Sequence, residues 1–339
     1  MSAPFTALAA ASVVHYPFEV HSLATNRFRA VAVVGAGAVG SFFGAMLARA
    51  GHRVTLIGRA AHVQAIERDG LLLDMASKAL VVPIGASVEL AAVRGADLVL
   101  FCVKSTDTES VAREMAPHLD PDAVVVSLQN GVENAATIAR HVRQIVVPAV
   151  VYVATAMPAP GRVKHHGRGD LVIGPMNAEQ ARSDAVAAAL QDLLRFFASA
   201  QVPVTVSNDV MAELWTKLMV NCAYNAISGL AQATYGQLVA LPLVRELQHT
   251  VVEEVVALAQ AEGVNLALAS SLEAMQRIAA AMPQQLSSTA QDMARHKTSE
   301  IDHLNGFVAR RGRELGVATP ANQALHALVK LVEAGHVRS

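Results

Sequence analysis

The segment LWTKLMVNCAYN, residues 214–225, combines an apolar helical pattern with a polar stripe. Leu214, Leu218, Met219 and Cys222 supply the apolar spacing, while Lys217, Asn221 and Asn225 fall four residues apart. Four residues advance a helix by one turn plus about 40°, so the three polar side chains share one side. Glu213 and Ser228 lie on that side too, together with Leu214 and Tyr224. A lysine among apolar residues most often lays its stem along them and reaches water with its ammonium. In a cleft, partial desolvation instead lowers its pKa and suits it to proton transfer. The asparagines favour the cleft. They are poor helix formers, and inward-facing carboxamides need partners that a bound carboxylate or hydroxyl would supply.

A second signature, VAVVGAGAVGSFFG, places Gly35, Ala36, Gly37, Ala38, Val39 and Gly40 after an apolar strand and at the start of a helix. The first glycine permits the tight turn, the second lets backbone N–H groups approach a pyrophosphate, and the third lets helix and strand pack closely. The next strand ends in Gly58-Arg59 rather than in the acid that would bind an NAD ribose. Arg59 suits a 2′-phosphate, which predicts NADP(H) as cofactor. Lys104, closing the strand DLVLFCVK, reads either as a second cation for that phosphate or as a solvated lysine. Asn130, in Gln129-Asn130-Gly131 at a third strand end, reads as a contact to nicotinamide or substrate, or as part of an Asn-Gly turn.

Two further polar groups lie late in the chain. In SSTAQD, residues 287–292, Ser288 and Gln291 predict a capping box, at a helix start that could equally hold a carboxylate. Glu300 opens the helical run TSEIDHLNGFVARRG, whose buried side is Ile301, Leu304 and Val308. Dipole compensation suffices to explain an acid there. His165 and His166, adjacent on a strand, point to opposite faces and form no metal pair. Arg310, Arg311 and Arg313 read as a solvated face, and Trp215 as packing.

These residues need a scaffold to bring them together. From Arg29 to about Ser207, runs rich in Val, Ile and Leu at 30–34, 53–57, 97–103, 123–128 and 145–150 alternate with helical stretches near 38–50, 106–117 and 131–141. A helix at 179–199 and a strand at 202–206 follow. The alternation predicts an α/β fold with an N-terminal Rossmann domain, a doubly wound and mostly parallel sheet. Runs 161–165 and 170–173, separated by HGRG, predict a hairpin at the sheet's end. After Asn208 the pattern is helical only, at 209–228, 242–261, 270–281, 288–296, 299–315 and 320–334, which predicts a C-terminal all-helical domain. Gly316 ends one of these helices and Thr319-Pro320 begins the next. The expected organisation is an N-terminal arm at 1–28, a cofactor-binding domain at 29–207 and a helical substrate and catalytic domain at 208–339.

Composition excludes several classes of partner. Hydrophobic residues make up 53% of 339 and charged ones 16%, so the chain has ample apolar side chains for two cores. With 27 basic and 28 acidic residues, net charge −1, no electrostatic attraction to nucleic acid or anionic membrane is expected. The apolar run at 145–157 is broken by Pro148 and too short for a bilayer. Cys102 and Cys222 give neither a disulfide framework nor metal-ligand spacing, which fits a reducing cytoplasm. Residues 1–14 lack the positive start of a secretory signal, and 1–28 read as a surface arm. The apolar-rich run 242–261 is long enough to pack within its domain or across a homodimer.

The motifs GAGAVG, VKS at 103–105, QNG at 129–131, ELWTKLMVNCAYN at 213–225, SSTAQD and TSEIDHLNGF occur together and in order, and with them the chain resembles the ketopantoate reductase family from about Ala30 to Leu331. The resemblance implies NADPH-dependent reduction of 2-dehydropantoate to (R)-pantoate, a step towards pantothenate and coenzyme A. It implies that Lys217 donates the proton, that Asn221, Asn225 and Ser288 bind the keto acid, and that Glu300 contacts the nicotinamide ribose and the reacting oxygen. Arg59 and Lys104 would lie near the 2′-phosphate, and Asn130 near nicotinamide and substrate. One departure is Tyr235, where some relatives carry a substrate-holding Asn. Two rival readings are a reductase of another small 2-oxo acid and an NADP-binding sensor without chemistry; the Lys217 stripe argues against the sensor.

Overall fold

The structure, a computed structural model, describes residues 27–76 and 78–336. The expected arm therefore lies outside the described residues except for Arg27 and Phe28, and Phe28 is buried with its ring edge-on to Phe196. Ten strands follow in chain order: β1 (Ala30–Val34), β2 (Arg53–Ile57), β3 (Leu71–Met75), β4 (Lys78–Val82), β5 (Gly85–Ser87), β6 (Leu98–Phe101), β7 (Val124–Ser127), β8 (Ile145–Ala159), β9 (Arg162–Ile173) and β10 (Val204–Val206). They form one sheet in the order β4-β3-β9-β8-β7-β6-β1-β2-β5, with β10 on β9. β1, β6 and β7 are buried throughout, as parallel strands covered on both faces must be. The strand order reverses at β1, with β2 on one side and β6 on the other, both parallel to it. That is the point where such sheets open a crevice beyond their C-terminal ends.

Two expectations about strands need correction. Runs 161–165 and 170–173 are not a hairpin but one continuous strand, β9, running antiparallel to a β8 that continues well past residue 150. The reversal takes place at Pro160-Gly161, where Gly161 has φ +71°. HGRG bulges the strand instead: Arg168 adopts φ +58° between Gly167 and Gly169, and the register to β8 slips on either side of Val153 and Ala154. The strands β3, β4 and β5 extend the sheet beyond the expected elements, and the helix Ala60–Asp69 precedes them.

The second half is helical. The helix Val210–Ala231, capped by Asp209, contributes Trp215, Leu218, Met219, Cys222 and Tyr224 to a separate hydrophobic core. Helix Pro242–Ala261 buries Val251, Val252, Val255, Leu258 and Ala259 in the same core, so its apolar face is used within its own half. Gly316 ends the helix Asn305–Leu315 in the left-handed conformation, and Pro320 starts the last one. The expected capping box at Ser288 and Gln291 is corrected: Ser287 is the cap, accepting from Ala290 N at 3.0 Å. Glu300 does not begin an α-helix either, since a short 3-10 turn, Ile301–His303, precedes Asn305–Leu315. The arginine cluster is not simply solvated. Arg310 pairs with Glu133 of the sheet half at 2.9 Å, and Arg311 with Glu262 and Glu314.

Among the described residues no helix is long and apolar enough to cross a membrane. The turn after β1 is sterically demanding. Gly35 has φ +106°, and a Cβ there would lie 2.6 Å from the backbone of Cys102 and Val103. Gly37 has nothing within 4 Å of the same added atom. Gly35→Ala is therefore expected to cost about 2 kcal/mol, or roughly 4–8 °C in thermal midpoint. Gly37→Ala should unfold near the wild-type midpoint. Circular dichroism melts of the two variants check the contrast, and equal midpoints would refute it.

Candidate active site

The glycine turn faces the crevice at the sheet's C-terminal edge. Gly35 N and Ala36 N donate to Ile57 O at 2.9 and 3.0 Å, which ties the turn to the end of β2. A Cβ on Gly40 would lie 2.2 Å from Gly35 O, so the helix Ala38–Arg49 approaches the strand as closely as the third glycine allows. With open space above Gly37 and no acid in the helix's first turn, the loop fits an anionic pyrophosphate. Ala38 and Val39 begin that helix. Arg59 is exposed just beyond β2 and starts the helix Ala60–Asp69, and Gly58 N donates to Ser87 O at 3.0 Å. A guanidinium so placed, on the rim of the glycine turn, fits the extra phosphate of NADP(H).

Lys217 sits near the middle of the helix Val210–Ala231 and points back at the sheet. Its Nζ donates to Val151 O of β8 at 2.5 Å and lies 5.9 Å from the Tyr152 ring centroid. The Arg168 guanidinium, carried by the bulge, stands 4.2 Å from the same ring. Burial pushes the Lys217 ammonium down to about 8; the Glu300 carboxylate works against that shift and Arg168 adds to it. Burial likewise pushes the Tyr152 hydroxyl up to about 12, with Glu213 and Asp170 adding and Arg168 opposing. The Glu213 carboxyl is raised by burial and by Asp209.

Asn225 is 3% exposed, yet among the described residues its carboxamide has no hydrogen-bond partner. The same holds for the half-buried Asn221 and for the hydroxyl of the exposed Ser288. The sealed unpartnered side-chain atoms are elsewhere, Gln248 Oε1 and Asn305 Oδ1, so the Asn225 amide keeps a path to solvent. Ser287, next to Ser288, donates to Asn225 O at 3.3 Å and thus sets that helix start beside the stripe.

Glu300 crosses to the sheet half. Its Oε1 accepts from Ser105 N and from Ser105 Oγ, both at 3.0 Å, and its Oε2 accepts from Asn130 Nδ2 at 3.2 Å. Asn130 and Glu300 are thus in contact, and Lys217 feels the Glu300 charge. Lys104 is turned the other way, towards the helical half. Its Nζ donates to Asp292 at 3.0 Å and to Thr298 O at 2.7 Å, and no contact joins it to Arg59 among the described residues. Tyr235 is 8% exposed with its ring 4.5 Å from that of Tyr224. Sequence reasoning missed Tyr152 and Arg168, although the glycines either side of Arg168 signalled unusual backbone. It also missed Ser105, which was visible only as the last residue of VKS.

The family model described as Ketopantoate reductase PanE/ApbA matches residues 31–178, and its C-terminal companion matches 209–333. The chain is 34% identical to the 2-dehydropantoate 2-reductase of Halobacterium salinarum over 89% of its own length and 98% of that protein's. It is 32% identical to that of Vibrio cholerae, over 89% and 97%. Among solved structures it is similar to a PanE/ApbA family ketopantoate reductase from Ralstonia eutropha, at 54% identity and TM-score 0.84 over 91% of this chain and 99% of that one. A D-mandelate dehydrogenase with NADH and anilino(oxo)acetate superposes with the same TM-score at 25% identity, again over 91% and 99%. The two-lobed fold, the glycine turn at its switch point and these matches across most of the sequence agree: the chain belongs to the ketopantoate reductase family.

Proposed function

We propose that this protein reduces 2-dehydropantoate to (R)-pantoate with NADPH, a step in pantothenate and coenzyme A synthesis. The observation that carries the reading is the part-buried Lys217 amine, pushed down to about 8, on one helix stripe with the unpartnered Asn225. In this reading residues 29–207 hold the cofactor and 208–339 hold the substrate. Gly35, Ala36, Gly37, Ala38, Val39 and Gly40 cradle the pyrophosphate. Arg59 takes the 2′-phosphate; Lys104, paired with Asp292 and bonded to Thr298 O, would have to leave those partners to serve as a second cation there. When bound, NADPH supplies the hydride that reduces the C2 carbonyl.

Asn221, Asn225 and Ser288 hold the substrate's carboxylate and hydroxyl, which gives the buried carboxamides the partners they lack. The Lys217 ammonium faces the carbonyl oxygen, stabilises the charge that develops there and delivers the proton that completes the alcohol. Glu300 and Asn130 orient the nicotinamide side and hold the Lys217 charge in place. Glu300 offsets part of the desolvation that Lys217 suffers, so the amine stays protonated at neutral pH and still gives up its proton readily. We read the protein as a cytoplasmic enzyme, in keeping with its free thiols Cys102 and Cys222, and as a homodimer acting on a small 2-oxo acid.

A second reading keeps this chemistry with a different 2-oxo acid. It is favoured by Tyr235, whose buried ring beside Tyr224 replaces a carboxamide found in some relatives. Comparing kcat/KM across a panel of 2-oxo acids, with NADPH and NADH, separates the two; 2-dehydropantoate should lead by a wide margin.

Four outcomes test the roles of the residues. Lys217→Ala should lower kcat at least about 100-fold with little change in substrate KM. In the wild type, kcat/KM should be level below pH 8 and fall above it, because the amine must carry its proton to donate it. A rate that rises through that window would refute the donor role. Asn225→Ala should raise the KM for the 2-oxo acid about tenfold while leaving kcat within a few-fold. Arg59→Ala should raise the KM for NADPH by about tenfold and leave that for NADH unchanged. Steady-state kinetics with each cofactor reads all of these.

A further inference from the structure

The Ser105 hydroxyl that donates to Glu300 is the last link of a buried chain of side chains. Ser127 Oγ donates to Gln129 Oε1 at 3.1 Å, and Gln129 Nε2 donates to Thr108 Oγ1 at 2.7 Å. Thr108 Oγ1 donates to Asn134 Oδ1 at 2.8 Å, and Asn134 Nδ2 donates to Ser105 Oγ at 3.1 Å. Ser105 Oγ then donates to Glu300 Oε1 at 3.0 Å. All five donors are buried, the most exposed at 6%. The second proton of each amide is used as well, by Val103 O for Gln129 and by Asn130 O for Asn134.

The direction of this chain is its informative property. With both amides committed, the Thr108 hydroxyl accepts from Gln129 and gives its proton to Asn134. The Ser105 hydroxyl accepts from Asn134 and has two acceptors for its single proton, Glu300 Oε1 at 3.0 Å and Asn130 O at 3.2 Å; the carboxylate is the nearer and the charged one, and with the proton on it every dipole points the same way. Hydrogen bonds in series polarise one another, most of all where water is excluded. The chain ends on a carboxylate, the one group in it that only accepts. Simple satisfaction of the loop ends after β6 and β7 would not require a common direction. Nor would it require Ser105 to bring both its N–H and its O–H to a single oxygen of a residue from the helical half, when Asn130 O offers the hydroxyl another acceptor at 3.2 Å.

We infer that Ser105, with Asn134, Thr108 and Gln129 behind it, is a positioning residue that holds the Glu300 carboxylate in its working orientation. The relay leaves Oε2 to Asn130 and keeps the negative charge within reach of Lys217. This rests on the role given to Glu300 in the proposed function. It adds that the sheet half, through residues that touch neither substrate nor Lys217, decides where that carboxylate stands. Ser105 and Asn130 approach Glu300 from the sheet edge and Lys217 from the helical half, while Lys104 is held by Asp292 and Asp302 by His326 and Lys330.

The experiment compares Ser105→Ala, Ser105→Thr, Thr108→Val, Glu300→Gln and the double variant S105A/E300Q in steady-state reduction of 2-dehydropantoate by NADPH. A relay that positions Glu300 predicts that Ser105→Ala lowers kcat about tenfold with the substrate KM little changed. Ser105→Thr, which keeps the hydroxyl, recovers most of the lost turnover. Thr108→Val, cutting the chain two links back, gives a smaller loss of the same kind. In the Glu300→Gln background, Ser105→Ala costs little more, because the two residues act as a unit. Wild-type kcat in Ser105→Ala overturns the relay, and so does a loss that is undiminished in the Glu300→Gln background. Should Ser105→Ala fail to fold, Thr108→Val decides, and wild-type kcat there overturns the inference. If Glu300→Gln itself turns over like the wild type, the role of Glu300 falls and the relay with it; a slow Glu300→Gln beside a normal Ser105→Ala removes the relay alone.

Discussion

The helical half meets the sheet through a few polar contacts that set an amine and a carboxylate against the open edge of the parallel strands. Lys217 reaches a backbone carbonyl of β8, and Glu300 reaches Ser105 and Asn130 beyond β6 and β7. Both groups leave bulk water to do so, and the energetics of the site follow from that desolvation. Burial holds the Lys217 ammonium below its usual range, and a neighbouring carboxylate offsets part of that cost. The apolar contact among Val150, Val210 and Leu214 holds the halves at the distance these reaches require. Charged pairs at Lys104–Asp292 and Glu133–Arg310 add to it from the surface. Exposed pairs of that kind contribute little stability, and their effect lies in fixing how the halves are oriented.

β8 and β9 extend this logic. A strand that ended with its parallel neighbours would leave nothing beneath the Lys217 side chain. Because β8 continues beyond β7 and pairs antiparallel with β9, Val151 and Tyr152 lie under the helix. The bulge at Gly167–Gly169 then turns Arg168 over the Tyr152 ring. A left-handed arginine is a conformation the chain adopts only when its surroundings repay it, here through the ring and the pairing with Asp170. Its positive charge lowers the Lys217 pKa further. The extra antiparallel layer therefore belongs to the electrostatics of the site as much as to the sheet.

The helix Val210–Ala231 carries two demands on different sides. One side supplies Leu218, Met219 and Cys222 to a core, and the other presents Lys217 and Asn221 with Asn225 nearly buried between them. Asparagine at such a position costs helix propensity and leaves a buried amide without an internal partner. A sequence shaped for stability alone would place an apolar residue there. Stability is conceded at Asn225 and recovered in the packing of the helices around it, as is usual where a chain must bind a polar ligand.

Much of this was legible in the residues themselves. Short-range periodicity is set by local backbone geometry, so β1, β2 and the helix Pro242–Ala261 were read to the residue, and Gly316 and Thr319-Pro320 marked the boundary between the helices Asn305–Leu315 and Pro320–His336. The glycine turn and the Lys217–Asn221–Asn225 stripe were equally plain, because each is a spacing within a single element. HGRG misled, since glycines announce unusual dihedrals without saying whether the chain turns or bulges; only pairing with β8 decided that. Ser288 was similarly displaced by one residue from the cap it was expected to be. What tertiary structure alone decided was the company each group keeps: Glu300 with Ser105 and Asn130, Lys104 with Asp292 rather than Arg59, Lys217 with Val151 and Tyr152. These partners lie far apart in the chain, and their meeting depends on how two separately formed cores dock. Local residue types carry no record of that docking, which arises from the summed packing of both halves.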